Sequence, residues 1–113
     1  MKVEDFKQER ESLNKLTLDK ADLITKRFFG LDTAAYNDGA LPTKTKEMLG
    51  LVASMVLRCD DCIRYHLDQC HQNGVTDAEI QEVFSIALIV GGSIVIPHLR
   101  RANGFWAELT STS

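Results

Sequence analysis

The sequence predicts an all-α protein, a single domain over residues 1–113 folded as a bundle of five to six helices. Apolar residues recur at three- and four-residue intervals through most of the chain, which places them on one face of a helix. Strand signals are weak, since the β-branched run Ile94-Val95-Ile96 has only three residues. A domain of this size buries less of its surface than a larger one and often gains stability by associating.

The first region is predicted to be an N-terminal helical extension over residues 1–30, ended by Gly30. Its apolar residues at helical spacing are Ala21, Ile24 and Phe28, with Phe6, Leu13 and Leu16 upstream. A loop is predicted next, because Asn37-Asp38-Gly39 and Pro42 are typical turn residues. The motif-bearing core of the domain is predicted over residues 42–101.

A helix from Thr43 to Leu57 is predicted to be apolar on nearly all sides. Such a helix is buried on most of its surface. In a chain this short, full burial is expected to require a second subunit. The alternative is a central helix that the other helices of the same chain surround.

The later helices have clear boundaries. Gly74 ends one segment, and Thr76 to Glu79 form a capping box that starts the next. Gly91-Gly92 breaks that helix, and Pro97 is expected near the start of the last one. The apolar stripes of these two helices are Ile80, Val83, Phe84, Ala87 and Leu88, followed by Leu99, Ala102, Trp106 and Leu109.

Composition excludes several functional classes. The net charge is −3 and the pI is about 5.5, so no basic face for nucleic acid is predicted. The longest apolar stretch, Ile86 to Pro97, is shorter than the roughly 20 residues that span a bilayer. The segment Met1–Asp5 has no apolar core typical of a secretion signal. A cytoplasmic protein is expected, and in that reducing compartment paired cysteines are typically catalytic or metal-binding.

The segment CDDCIRYHLDQCH, residues 59–71, holds all three cysteines and two of the three histidines. If residues 60–73 form one helix, Cys62 and His66 share a face at i and i+4. Cys59 then lies at the helix start, where free N–H groups and the helix dipole favour a thiolate. Asp60 and Asp61 oppose this effect. Arg58 and Arg64 partly offset the two carboxylates.

Three interpretations of this segment are open: a redox dithiol, a metal site, or chance. Cys59, Cys62, His66 and Cys70 are good zinc ligands, but a helix spreads them over roughly 16 Å. Zinc needs every ligand within about 2.3 Å. Only Cys62 and His66, with ligands from elsewhere, could serve, and no metal is expected. Cys70 is predicted to be a buried small hydrophobe. His71 and His98 are expected at the surface or an interface.

Glu47 adds a wider pattern, E-x11-C-x2-C-x3-H, completed by Cys59, Cys62 and His66. This pattern resembles the alkyl hydroperoxide reductase D and carboxymuconolactone decarboxylase-like family, and the resemblance extends from Pro42 to Arg101. In one straight helix Glu47 and Cys59 would be about 18 Å apart. They can cooperate only if the chain bends near residues 58–60. Without the pattern, Glu47 would be interpreted as a solvated acid near a helix start.

The resemblance implies an all-helical fold and a redox function. It implies that Cys62 attacks a hydroperoxide, that Cys59 donates a proton and then closes the disulfide, and that Glu47 and His66 relay protons. It also implies a homo-oligomer, often a trimer or a hexamer. The electron donor would be a dihydrolipoyl protein or a thioredoxin-type protein, and no organic cofactor is expected. Asp61 departs from relatives that carry a histidine in that position.

The first hypothesis is therefore a thiol-dependent peroxidase or disulfide reductase that acts on a hydroperoxide or a disulfide. Neither nucleic acid nor a membrane is expected as a partner. A second is a non-enzymatic redox sensor in which the disulfide alters a surface. A third is a small-molecule enzyme of the decarboxylase type with an incidental dithiol. The true lactone decarboxylases of the superfamily are similar in fold but lack the cysteine pair.

Overall fold

The structure is a computed structural model that describes residues 2–111 as six α-helices and one short 3₁₀ turn. The helices are α1 Val3–Lys20, α2 Leu23–Ala35, α3 Thr43–Val56, α4 Asp60–Gln72, α5 Asp77–Gly91 and α6 Ile96–Ser111. The 3₁₀ turn, Ser93–Val95, occupies the β-branched run and leads directly into α6. No strand occurs in residues 2–111. The predicted all-α class is confirmed.

The core forms among α3, α4, α5 and α6. Helix α3 packs against both α4 and α5, and α4 also packs against α6. The predicted stripes of α5 and α6 point into this core, with Leu88 and Leu99 at its edge. The fully buried side chains of the core include Leu51, Met55, Ile63, Leu67, Ile80 and Val95.

Helix α1 joins the bundle through a few specific contacts. The Phe6 ring meets Phe105 of α6 edge to face, with ring centroids 5.6 Å apart. Lys7 forms an ion pair with Asp68 of α4, at 3.4 Å between Nζ and Oδ1. These contacts place the first half of α1 beside α6 and the C-terminal half of α4.

Helix α2 differs from the prediction in its position and in its burial. The chain breaks at Ala21 and Asp22, where the Asp22 side chain caps α2 by accepting a hydrogen bond from the Thr25 N–H at 2.9 Å. The helix continues through Gly30, so the predicted end at that glycine is wrong. No residue of α2 is buried, and Ile24 and Phe28 are exposed rather than packed in a core.

A tight connection joins α3 to α4. The N–H of Arg58 bonds to the Met55 carbonyl, and the N–H of Cys59 bonds to the Ser54 carbonyl. This pattern is a Schellman motif, whose left-handed position normally favours glycine. Arg58 occupies it with φ 61°. The connection supplies the bend that folds α4 back against α3 and brings His66 to Glu47.

The remaining helix boundaries agree with the sequence signals. The capping box of α5 is present, with Thr76 and Glu79 each accepting a hydrogen bond from the other's backbone N–H. Gly74 adopts φ 78° at the end of α4, and Gly92 adopts φ 83° after α5. Pro97 is the second residue of α6, where its missing N–H breaks no intrahelical bond.

One face of the bundle remains apolar and exposed. It is formed by α3 and α5, with Leu49, Ile86, Ile89 and Val90 between 55% and 83% exposed. Helix α3 is therefore only partly covered by the other helices of its own chain. None of the helices in residues 2–111 has the length and apolar character that a bilayer crossing requires.

Candidate active site

A buried carboxylate and a buried imidazole form the base of the site. Glu47 is the fifth residue of α3 and only 2% exposed, and His66 of α4 is 9% exposed. The Nδ1 of His66 lies 2.7 Å from Glu47 Oε1. A carboxylate this buried needs a partner, because an unpaired buried charge is strongly unfavourable. The interpretation of Glu47 as a solvated acid is therefore wrong.

The Glu47 contact determines what the imidazole can do. An ionised carboxylate only accepts hydrogen bonds, so an ionised Glu47 places the proton of neutral His66 on Nδ1. Nε2 then has a free lone pair, and no atom of residues 2–111 forms a hydrogen bond with it. A histidine oriented in this way can accept a proton from a neighbouring acid.

The two cysteines of the C-x-x-C spacing meet at the start of α4. Cys59 is the N-cap, and its Sγ accepts a hydrogen bond from the Cys62 N–H at 3.3 Å. The two Sγ atoms are 2.6 Å apart, and both cysteines are free thiols. Since disulfide sulfurs lie about 2.05 Å apart, little movement separates this pair from a disulfide. The positive end of the α4 dipole acts on Cys59.

Cys62 is the more exposed member of the pair, with Cys59 half-buried. Partial burial of its thiol, the hydrogen bond with Cys59 and the negative charges of Cys59 and Asp61 together raise the pKa of Cys62 to about 11. The positive charge of Arg10 acts in the opposite direction. Near neutral pH Cys62 therefore keeps its proton until a base accepts it.

Two tyrosines also surround His66. The ring of Tyr36, just after α2, lies 5.4 Å from the imidazole, and the ring of Tyr65 lies 5.2 Å from it. Burial, followed by the charge of Glu47, raises the pKa of both tyrosines. The motif spacing includes neither residue, and only the adjacency of Tyr65 to His66 could have suggested one of them.

Gly50 of α3 provides the space that this arrangement requires. A Cβ at this position would lie 2.7 Å from His66 Cε1 and 2.7 Å from the Tyr36 hydroxyl oxygen. Any larger residue would displace the imidazole or the phenol. Gly50 therefore sets how closely α3 approaches the His66 ring.

Cys62 opens into a groove between α1, α2 and α4. The groove has a volume of about 340 Å³. Its lining residues are Arg10, Asn14, Phe28, Phe29, Asp32 and Cys62. A small molecule bound there would contact the thiol, two aromatic rings and one guanidinium group.

Cys70 lies outside this site. It is fully buried, as predicted, and burial together with the charge of Glu47 raises its pKa to about 12. Within residues 2–111, no three His, Cys, Asp or Glu side chains are grouped so that they could hold a metal ion.

His98, predicted at the surface or an interface, is half-buried between α6 and the start of α4. Its Nδ1 lies 2.7 Å from Asp60 Oδ1, and Arg101 Nε lies 2.9 Å from Asp60 Oδ2. Burial opposes ionisation of Asp60, but these two partners outweigh it and lower the pKa of Asp60. The cluster holds the start of α4, next to Cys59, against α6. His71 is half-buried, with its ring edge to face with Trp106.

The family of the chain follows from comparison with known proteins. Residues 23–102 match the carboxymuconolactone decarboxylase family. The chain belongs to this family. The match begins before the motif-bearing stretch and includes all of α2, whereas the resemblance based on the motif started at Pro42. All of α1 lies outside it.

Several relatives resemble the chain over most of its length. An uncharacterised protein of Cupriavidus necator is 34% identical over 84 residues, covering 74% of each chain. A crystal structure of a Thermotoga maritima protein superimposes with a TM-score of 0.94 at 60% identity, covering 96% of this chain and 95% of that one.

Two further structures belong to proteins described as members of the same family. A second Thermotoga maritima crystal structure has a TM-score of 0.91 at 60% identity, covering 95% of this chain and 91% of that one. A part in the antioxidative response has been suggested for that protein. A Legionella pneumophila member has a TM-score of 0.75 at 27% identity, covering 96% and 95% of the two chains. The carboxymuconolactone decarboxylase fold is thus shared over about 95% of the chain.

Proposed function

We propose that this carboxymuconolactone decarboxylase family member is a thiol-dependent peroxidase, with Cys62 as nucleophile and Cys59 as resolving thiol. The observation that carries the proposal is the pairing of Glu47 with His66 at 2.7 Å, one helical turn after a dithiol with sulfurs 2.6 Å apart. The antioxidative role suggested for the Thermotoga maritima protein supports the same reaction class.

The first step oxidises Cys62. Because its pKa is raised to about 11, the thiol needs a base, and we assign this role to His66, held by Glu47. The Cys62 thiolate attacks the distal oxygen of a hydroperoxide, and the O–O bond breaks. Cys62 becomes a sulfenic acid. The alkoxide leaves and receives the proton from His66, which gives an alcohol.

The second step closes the disulfide. Cys59 sulfur attacks Cys62 sulfur, the S–O bond breaks, and the departing hydroxide takes the Cys59 proton to form water. One hydroperoxide and two thiols thus give one alcohol, one water and one disulfide. A dithiol protein of the dihydrolipoyl or thioredoxin type then returns two electrons and two protons by thiol–disulfide exchange. A reducing cytoplasm, which we propose as its location, supplies such donors.

We further propose that the working form is a homo-oligomer, a trimer or a hexamer. The exposed apolar face of α3 and α5 and the unburied helix α2 support this. Large exposed apolar patches on a folded chain mark interaction sites. The active-site groove uses α2 as one wall, so assembly would also hold that wall in place.

A single-turnover experiment tests the chemistry. Reduced protein is mixed with one equivalent of cumene hydroperoxide and quenched with a thiol-blocking reagent at short times, and the cysteines are identified by peptide mass. We expect a Cys62 sulfenic acid followed by a Cys59–Cys62 disulfide, with Cys70 still reduced. The Cys62→Ser variant should abolish turnover.

Cys70→Ser is the matched control, because it makes the same substitution at a buried thiol outside the site. Its turnover should stay close to that of the unmodified protein. Full activity in Cys62→Ser would exclude the peroxidase mechanism. A lactone decarboxylase activity that survives replacement of both Cys59 and Cys62 would instead assign the family's other chemistry. Rapid formation of the disulfide, with no dithiol donor able to reduce it again, would favour the hypothesis of a non-enzymatic redox sensor.

A further inference from the structure

Arg10 of α1 is the cationic residue of the groove that contains Cys62. Its guanidinium carbon lies 4.0 Å from the centroid of the Tyr65 ring, a cation–π contact. Tyr65 follows Cys62 by three residues on α4, so both side chains lie on the same side of that helix. Arg10 and Cys62 both line the groove.

Arg10 makes no ion pair with any acidic side chain in residues 2–111. Its charge is therefore not neutralised by a bonded carboxylate. The arginine is half-buried and held in place by an aromatic face. An oriented, unpaired guanidinium beside a thiol is one of the arrangements that stabilise thiolates.

The other titratable groups near Cys62 are acidic side chains or are uncharged at neutral pH. The titratable groups around it are Cys59, Asp61 and Tyr65 on α4, Asp32 and Tyr36 from the α2 region, and Glu47 of α3 behind His66. Of the main influences on this thiol, the charge of Arg10 is the one that lowers the Cys62 pKa. The buried Glu47–His66 pair can take the proton, but it adds no net positive charge.

We propose that Arg10 is a positioning residue of the peroxidase reaction, whose charge supports the Cys62 thiolate in the groove. The inference rests on the proposed function. It adds a residue outside the family match, which begins at residue 23. No bond to Arg10 forms or breaks. The Cys62 proton goes to His66, and the guanidinium stays charged beside the sulfur that carries the new negative charge.

A thiol titration tests this directly. In a Cys59→Ser background, the rate of Cys62 alkylation by iodoacetamide is measured against pH, which gives the ionisation midpoint of that thiol. Loss of a nearby positive charge should raise the midpoint by about one pH unit. The alkylation rate at pH 7.5 should then fall about tenfold in Arg10→Gln. Arg10→Lys keeps the charge and should retain most of the rate.

Arg64→Gln is the matched control. Arg64 is two residues from Cys62 but lines a different groove, with Arg101, Gly104, Phe105 and Glu108. It should leave the midpoint unchanged. An Arg10→Gln midpoint within about 0.2 pH units of the parent's would overturn the inference. So would an equal shift in Arg64→Gln, since that would indicate a general charge effect.

The titration separates this inference from the proposed function. It needs no peroxide, so a raised midpoint in Arg10→Gln supports the charge effect whatever the substrate. Absence of peroxide turnover in the unmodified protein would overturn the peroxidase alone. If Arg10→Gln melts at a lower temperature, Arg10→Lys still decides: loss of alkylation rate with the charge retained would contradict the electrostatic role.

Discussion

At the scale of single residues, the site depends on a few buried polar contacts. Glu47 and His66 are both almost fully buried, yet each has a partner, the other. The exposed thiol lies one helical turn from this pair. A carboxylate that orients a histidine and stabilises its protonated form is a recurrent device of proton-transfer sites.

Replacing Glu47 by glutamine tests the proposed transfer of the Cys62 proton to His66. The amide has nearly the same size, but it lacks the charge that stabilises a protonated His66. We expect peroxide turnover near neutral pH to fall by about 10- to 100-fold, because general base catalysis contributes that much or more. The dependence of rate on pH should also shift, which a loss of stability alone would not cause.

The control for this change is Glu82→Gln, an exposed acid on α5. Its rate and pH profile should match those of the unmodified protein. Unaltered kinetics in Glu47→Gln would remove the carboxylate from the mechanism and leave His66 to act by itself.

At the scale of helices, the site depends on how closely α3 approaches His66 of α4 and Tyr36, which follows α2. Gly50 permits that approach, since a Cβ there would lie 2.7 Å from atoms of His66 and Tyr36. Gly50→Ala gains about 1 kcal/mol of helix propensity, but overpacking typically costs about 1–3 kcal/mol. We expect a lower melting temperature and a lower turnover.

Gly104→Ala is the matched change in α6, where the added Cβ would meet nothing within 4 Å. It should stabilise the protein by up to about 1 kcal/mol, because only the propensity term remains. Thermal melts of both variants check the comparison. A Gly50→Ala variant as stable and active as Gly104→Ala would show that His66 tolerates displacement.

The Asp60 cluster connects α4 with α6 and should make stability depend on pH. The pKa of Asp60 is lower in the folded protein than in the unfolded chain. Its contribution to the free energy of unfolding is therefore fully present above the unfolded pKa of about 3.9 and is lost as the pH falls through the folded pKa. We expect Asp60→Asn to lower the free energy of unfolding by about 1 kcal/mol at pH 6. The difference should vanish in strong acid.

Denaturant unfolding at several pH values measures this difference. Asp19→Asn is the control, because the Lys15–Asp19 ion pair is exposed and of the i, i+4 type. Such pairs contribute little, so its effect should stay below about 0.5 kcal/mol at every pH. An Asp60→Asn deficit that persists at pH 2 would mean that shape rather than charge holds α4 there.

The helices differed in how far the sequence determined them. Boundaries from α3 onward followed local signals, because the Thr76–Glu79 capping box and Gly74 act within a few residues. The predicted helix end at Gly30 was wrong because an exposed helix tolerates glycine at a cost of about 1 kcal/mol. The true start of α2 had its own signal in Asp22, whose side chain caps the helix by accepting a hydrogen bond from the Thr25 N–H.

The site was predictable only where its spacing was distinctive. Glu47, Cys59, Cys62 and His66 followed from the motif, and the structure brings Glu47 to His66 and Cys59 to Cys62. Arg10 of α1 and Tyr36, just after α2, reach the site from segments that no local pattern connects to it. The Asp60–His98 contact spans 38 residues, so only the packing of α4 on α6 produces it.

At the scale of the whole molecule, apolar surface remains uncovered. The α3–α5 face includes Ile89, which is 83% exposed. Burial of one such side chain contributes about 1.5–3 kcal/mol, which is why we propose this face as a contact between subunits. We expect light scattering with gel filtration to give an oligomer mass, and Ile89→Glu to lower that mass.

Ala107→Glu provides the control, since it adds the same charge at an exposed position of α6. Its mass should equal that of the unmodified protein. A chain that is already monomeric at micromolar concentration would exclude the oligomer and leave the apolar face for another partner.

The connection between α3 and α4 couples chemistry to backbone structure. Cys59 supplies the N–H that completes the end of α3, and its sulfur caps the start of α4. When that sulfur enters a disulfide, its capacity to accept the Cys62 amide proton weakens. The exchange rate of that proton with deuterated solvent and its NMR frequency should therefore differ between the reduced and the oxidised protein, and either would report the state of the dithiol.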